Sequence, residues 1–144
     1  MPVLTPQEVR EFISDKADKN YLLDGEEVSN TMINLCMDLA VSEFNTTAPT
    51  SSYDVTGFPY KALLLSGTLW KIYSGLSALV ARNNFSYSDG GVQVPLEERY
   101  QMYSLLASTY LADFNSSMSK IKIGQNMNDG WGGVSSDYSR MPIW

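Results

Sequence analysis

The chain has 144 residues, a formal net charge of −6 and no histidine, with 44% hydrophobic and 18% charged residues. That balance belongs to one folded domain with a modest core rather than to a disordered chain. It disfavours free nucleic acid or an anionic membrane as the main partner, since either normally requires clustered Lys and Arg, and it removes the commonest general base and transition-metal ligand.

In chain order, "TPQEVREFISDK" opens with a capping box: Thr5 can accept the Glu8 N–H, Glu8 can reach back to Thr5, and Pro6 suits the first helical position. Val9, Phe12 and Ile13 then predict a short amphipathic helix. The stretch before it has no basic segment leading into an apolar run, which reads as a chain without a secretory signal, folded in a cytoplasm. A second helix is predicted from Glu26 or Ser29 to Phe44, with Met32, Ile33, Cys36, Leu39, Ala40 and Phe44 on one side. Cys36 is the sole cysteine, so no intrachain disulfide can form, and its apolar neighbours predict a buried thiol.

"NTTAPTSSYDVTGFP" reads as a long loop. From Pro59 to Arg82 a third helix is apolar on most of its circumference and should be central. A bilayer span needs about 20 mostly apolar residues, but Lys61, Lys71 and Arg82 interrupt this one, so its small residues Gly67 and Gly75 are read as allowing close helix packing. "NNFSYSDGGVQVP" alternates apolar and polar residues around an Asp-Gly turn signal, which predicts a short β-hairpin or reversed loop. Pro95 opens the longest helix, to about Ile121. The core is expected to draw on Leu64, Leu69, Leu76, Val80, Tyr103, Leu106, Tyr110 and Phe114. From 124 onward, glycines interrupt an aromatic-bearing tail that reads as an extended arm. The expected architecture is therefore mostly α: a small helical bundle over 1–123 with a hairpin or loop insertion, and an arm over 124–144.

No catalytic constellation can be assembled. Glu26–Glu27 and Glu97–Glu98 are adjacent acids, which point apart on a helix and suit a helix N-terminus. No phosphate-cradling loop, dinucleotide fingerprint or nucleophile elbow occurs. Asp15, Asp18 and Asp24 do not fit a calcium-loop spacing. The expectation is a binding or structural protein, not an enzyme, with no cofactor and no metal.

The order of parts, carried by "EFNTTAP", "FPYKALLLSG", "LVARNNFSYSDGGVQV" and "DGWGGVSSDYS", resembles the head-to-tail connector (adaptor, or neck) proteins of tailed bacteriophages. The resemblance implies a virion protein at the head–tail junction, assembled in the host cytoplasm. It implies a homo-oligomeric ring, usually twelvefold, beneath the portal protein, with further neck or tail proteins below and DNA passing through the lumen without sequence-specific binding. A head-closure or tail-completion protein of an adjacent neck layer is the nearest alternative. From other classes, a small membrane-associated helical protein or a hydrolase with a Ser/Lys or paired-carboxylate site remains. In the connector reading, Trp131, Tyr138, Arg140, Met141, Ile143 and Trp144 anchor the arm on the portal. Phe85, Tyr87, Asp89, Val92 and Val94 form a loop contacting a subunit or neck protein.

Overall fold

A computed structural model describes residues 4–20, 25–83, 88–89, 92–93 and 96–131. Among these there are four helices: α1 (Pro6–Ile13), α2 (Asn30–Thr46), α3 (Lys61–Arg82) and α4 (Leu96–Trp131). Between α3 and α4, β1 (Ser88–Asp89) and β2 (Val92–Gln93) pair antiparallel, Ser88 with Gln93 and Asp89 with Val92. Two residues a side make no sheet layer. The described fold is mostly helical, as the apolar periodicity predicts.

The capping box of α1 forms as expected. The Glu8 N–H donates to Thr5 Oγ1 at 3.3 Å, and the Thr5 N–H donates to the Glu8 carboxylate at 2.9 Å. Ser14 closes the helix in the left-handed region, φ 55°. Val9 is buried, but Phe12 is 57% exposed. The helix is turned so that Arg10, not Phe12, follows Val9 inward, because Arg10 finds acceptors there. Ser29 caps α2 by accepting the Met32 N–H. Ile33, Cys36, Ala40 and Phe44 face the core, whereas Leu39, expected beside them, is exposed.

α3 lies against both α2 and α4, and is the central helix as predicted. The three helices meet at Gly67, where a Cβ would stand 2.7 Å from the Phe114 ring and 2.8 Å from the Ala40 Cβ. Glycine is what lets the helices come this close. Leu64, Leu69, Leu76 and Phe114 are buried, while Val80, Tyr103, Leu106 and Tyr110 are only half-buried. The tyrosines instead form a seam: Tyr73 stacks on Tyr103 at 6.0 Å and on Tyr110 at 5.8 Å between ring centroids. Burial, then the neighbouring Tyr110, Tyr103, Glu27 and Asp15 groups, push the Tyr73 hydroxyl up to about 12.

The connection from α2 to α3 is irregular but packed. The Asn45 amide donates to the Tyr53 carbonyl and its oxygen accepts from the Tyr53 N–H and the Ser51 hydroxyl, so one side chain ties three points of the loop. Phe58 then packs edge-on against Phe44, centroids 5.1 Å apart.

The fourth helix differs most from expectation. It continues past Ile121 to Trp131, so residues 124–131 are helical rather than extended, and the expected boundary at 123/124 falls inside α4. Gly124 and Gly130 each weaken a helix by up to about 1 kcal/mol relative to alanine. Contacts with the α2–α3 loop offset that. Lys122 Nζ donates to the Pro49 carbonyl at 2.8 Å and to Ser51 Oγ at 3.1 Å, and lies 3.9 Å from the Phe44 ring centroid. At 1.5 Å per residue the 36-residue helix is roughly 54 Å long, against roughly 33 Å for the 22-residue α3. α4 outruns α3, and the α2–α3 loop meets its later turns.

Candidate interaction surfaces

One polar node is built into the interior, where the chain turns from α1 to α2. The Arg10 guanidinium donates to Asp15 at 3.2 Å, to the Val28 carbonyl at 2.7 Å and to the Asn30 side chain, and pairs with Glu26 at 2.9 Å. Asp15 also accepts the Asn20 amide and the Glu27 and Val28 N–H groups. Burial alone would raise the Asp15 carboxyl. The hydrogen bonds from Asn20, Glu27 and Val28, with the Arg10 charge, outweigh it and hold the group below the usual carboxylate range. These contacts all lie within the fold, so the node serves to close a loop.

At the end of the bundle an open groove of about 330 Å³ lies over Leu76, Leu79 and Val80, with Glu27, Arg99 and Tyr103 at its rim. Tyr103 Oη donates to Glu27, and Arg99 donates to Tyr103 Oη at 3.1 Å. Here Glu27 acts through its side chain across the bundle rather than as a helix N-terminal carboxylate. Both adjacent acids, Glu26 and Glu27, precede the Ser29 cap and serve as partners for Arg10 and Tyr103. Cys36 is buried against the core, and its thiol is pushed up by desolvation, against a smaller opposing effect of Lys71.

Two outward faces carry exposed apolar pairs. On α2, Leu35 is 56% exposed and Leu39 44%, one turn apart. On α4, a row from Met102 through Leu105, Thr109, Ala112, Ser116 and Ser119 to Ile123 is exposed throughout, at alternating three- and four-residue spacing. Its two ends are large: Met102 is 64% and Leu105 68% exposed at one, Ile123 61% and Met127 58% at the other. Small side chains lie between. A helix with an apolar inner face and a second, spaced outer row has more packing surface than its own bundle uses.

Of the arm anchors, Trp131 is the last residue of α4. Tyr138, Arg140, Met141, Ile143 and Trp144 lie outside the described residues. Of the loop residues, Asp89 and Val92 are cross-strand partners, and Phe85, Tyr87 and Val94 lie outside the described residues. Sequence reasoning missed the outer row of α4 and the α2 pair. The seven-residue recurrence Met102, Thr109, Ser116, Ile123 was the available signal, masked by the stronger aromatic stripe on the inner face. Among the described residues, no three His, Cys, Asp or Glu side chains converge as a metal site. Compared with protein-family models, curated proteins and solved structures, the chain matches none of them.

Proposed function

We propose that the chain is a structural protein of the tailed-phage neck, a head-to-tail connector that assembles as a ring beneath the portal, extends the DNA channel and presents a surface to the next neck or tail protein. The observation that carries the reading is the long α4. It is longer than α3 and bears large exposed apolar side chains at both ends of its outer face, as a subunit made to be flanked by others needs. The sequence resemblance supplies the rest. An acidic subunit repeated around a ring makes a negative lumen, which repels DNA phosphates and lets a duplex slide.

In this reading the arm begins after Trp131, not at 124, and its anchors Tyr138, Arg140, Met141, Ile143 and Trp144 dock on the portal with Trp131 at the root. The turn around Asp89 and Val92 supplies a second contact, to a neighbouring subunit or neck protein. The test is a chain lacking residues 132–144, which removes the arm and spares α4. The full chain should sediment with portal-bearing heads. The truncated chain should keep its helicity and melting temperature and lose the heads. Head binding that survives truncation overturns the arm assignment, and a full chain that binds tails and ignores portals overturns the connector assignment in favour of a lower neck layer.

A second reading has one observation behind it. By length and composition α3 is apolar enough to cross a membrane, though in this fold it is the helix flanked by α2 and α4. Recovery of the chain in a detergent-free soluble fraction disposes of that alternative.

A further inference from the structure

The ring reading requires two different faces of one subunit to meet, and the charges beside the exposed apolar pairs distinguish which. α2 presents Leu35 and Leu39 with Asp38 between them, and the helix 30–46 contains no Lys or Arg. α4 offers two places for such a patch. At the first, Met102 and Leu105 follow exposed Glu98 by about one turn, and the nearby Arg99 is already engaged by Glu27 and Tyr103 of its own copy, so an acidic α2 face would meet like charge and a cation that is already paired. At the second, Ile123 and Met127 follow exposed Lys120, also by about one turn, which gives an apolar pair of the same spacing with the opposite charge beside it. The two patches share a one-turn apolar spacing and carry opposite charges.

We propose that the Leu35–Asp38–Leu39 patch of one copy docks on the Lys120–Ile123–Met127 patch of the next, with Asp38 paired to Lys120. The occupant of each face is therefore a second copy of this chain. The contact is heterologous: of two joined copies one keeps its α4 patch free and the other its α2 patch, so addition continues until the rotation closes. Near its C-terminal end α4 is braced from within by the Lys122 anchor on the α2–α3 loop, so the docking face stands on a fixed support. The inference rests on the connector reading for its biological setting but not for its geometry.

The experiment uses the full chain in solution at high concentration, with a short bis-maleimide. Leu35→Cys and Ile123→Cys are made as separate variants. Native Cys36 is 4% exposed, and the unaltered chain serves as the background control. Mixing the two variants should give a cross-linked dimer that neither gives alone, and the double variant should give a ladder. In sedimentation, Asp38→Lys or Lys120→Asp alone should weaken self-association roughly tenfold, and the two combined should restore it to within about threefold. Cross-links formed equally by each single variant with itself would mean a face-to-face contact and would overturn the proposal. So would no cross-link above background, or a combined variant no better than its parents. Self-association through these faces in a chain that ignores portal-bearing heads would refute the connector reading and leave the contact standing. Head binding without the cross-link would do the reverse.

Discussion

Gly67 is where the packing of this bundle can be tested with one methyl group. In an exposed helix interior, glycine to alanine gains about 1 kcal/mol from propensity alone. At Gly67 the added carbon would come 2.7 and 2.9 Å from two atoms of the Phe114 ring and 2.8 Å from the Ala40 Cβ. Neither obstacle is the free end of a flexible chain: one is a buried ring, the other is fixed to the backbone of α2. Overpacking of this kind costs about 1–3 kcal/mol, and with both neighbours rigid the upper part of that range applies. The net expectation for Gly67→Ala is a loss of about 2 kcal/mol, or roughly 4–8 °C in melting temperature for a domain of this size. Gly124 is the control, because nothing lies within 4 Å of a Cβ there. Gly124→Ala should stabilise by about 1 kcal/mol. Gly75 falls between, since its Cβ would meet only the terminal methyl of Met32 at 2.8 Å, which can swing aside. Circular dichroism melts of the three variants give the answer. A Gly67→Ala chain as stable as the parent, or more stable, refutes the close three-helix contact.

Leu76 is 4% exposed, so Leu76→Ala should lower the free energy of unfolding in urea by about 2–5 kcal/mol, and a loss well under 1 kcal/mol would put this turn of α3 at the surface. Asp15 is held below the usual carboxylate range, so its stabilisation is full above the unfolded value near about pH 4 and is lost as pH falls through the folded value. Asp15→Asn should therefore cost about 3 kcal/mol at neutral pH, as removal of one partner of a buried pair does, and the gap to the parent should narrow in acid. A gap independent of pH down to 2 would contradict the ionic role. Tyr73 is raised to about 12, so ionisation favours the unfolded chain once pH passes the ordinary tyrosine value near about 10. In ultraviolet titration Tyr73→Phe should remove the highest-titrating phenol, and an unchanged high-pH limb would place that phenol elsewhere.

The helices were legible because their signals are local. Thr5, Pro6 and Glu8 announce one start, Ser29 another, and the apolar period of α3 is long enough to stand alone. The inward turn of Arg10 was not legible, since its acceptors at Asp15, Val28 and Asn30 come from segments whose proximity only the fold creates. The role of Lys122 was hidden for the same reason, since its ammonium meets Pro49 and Ser51 in a loop some seventy residues earlier in the chain, close to where α4 continues past Ile121. The candidate surfaces were half legible. Aromatic residues drew attention to the tail and the turn, while the outer row of α4 is filled mainly by small polar residues and shows itself only once the inner face is assigned.

The Arg10 node has a kinetic corollary. α1 is a helix of 8 residues whose buried side chains are Val9 and the charged Arg10, with Leu4 just before it and Ile13 at its end adding to the core, so its apolar anchorage is small beside that of α3. Its attachment relies on directional bonds to the chain between Asp15 and Asn30, which water can replace once they part. Such a unit opens by itself, at a free energy below that of global unfolding. Amide protons of α1 and of Glu27 and Val28 should exchange together as one cooperative block, faster than those of α3. A protease cutting within 16–28 would then report the opening of this latch while the three long helices remain folded.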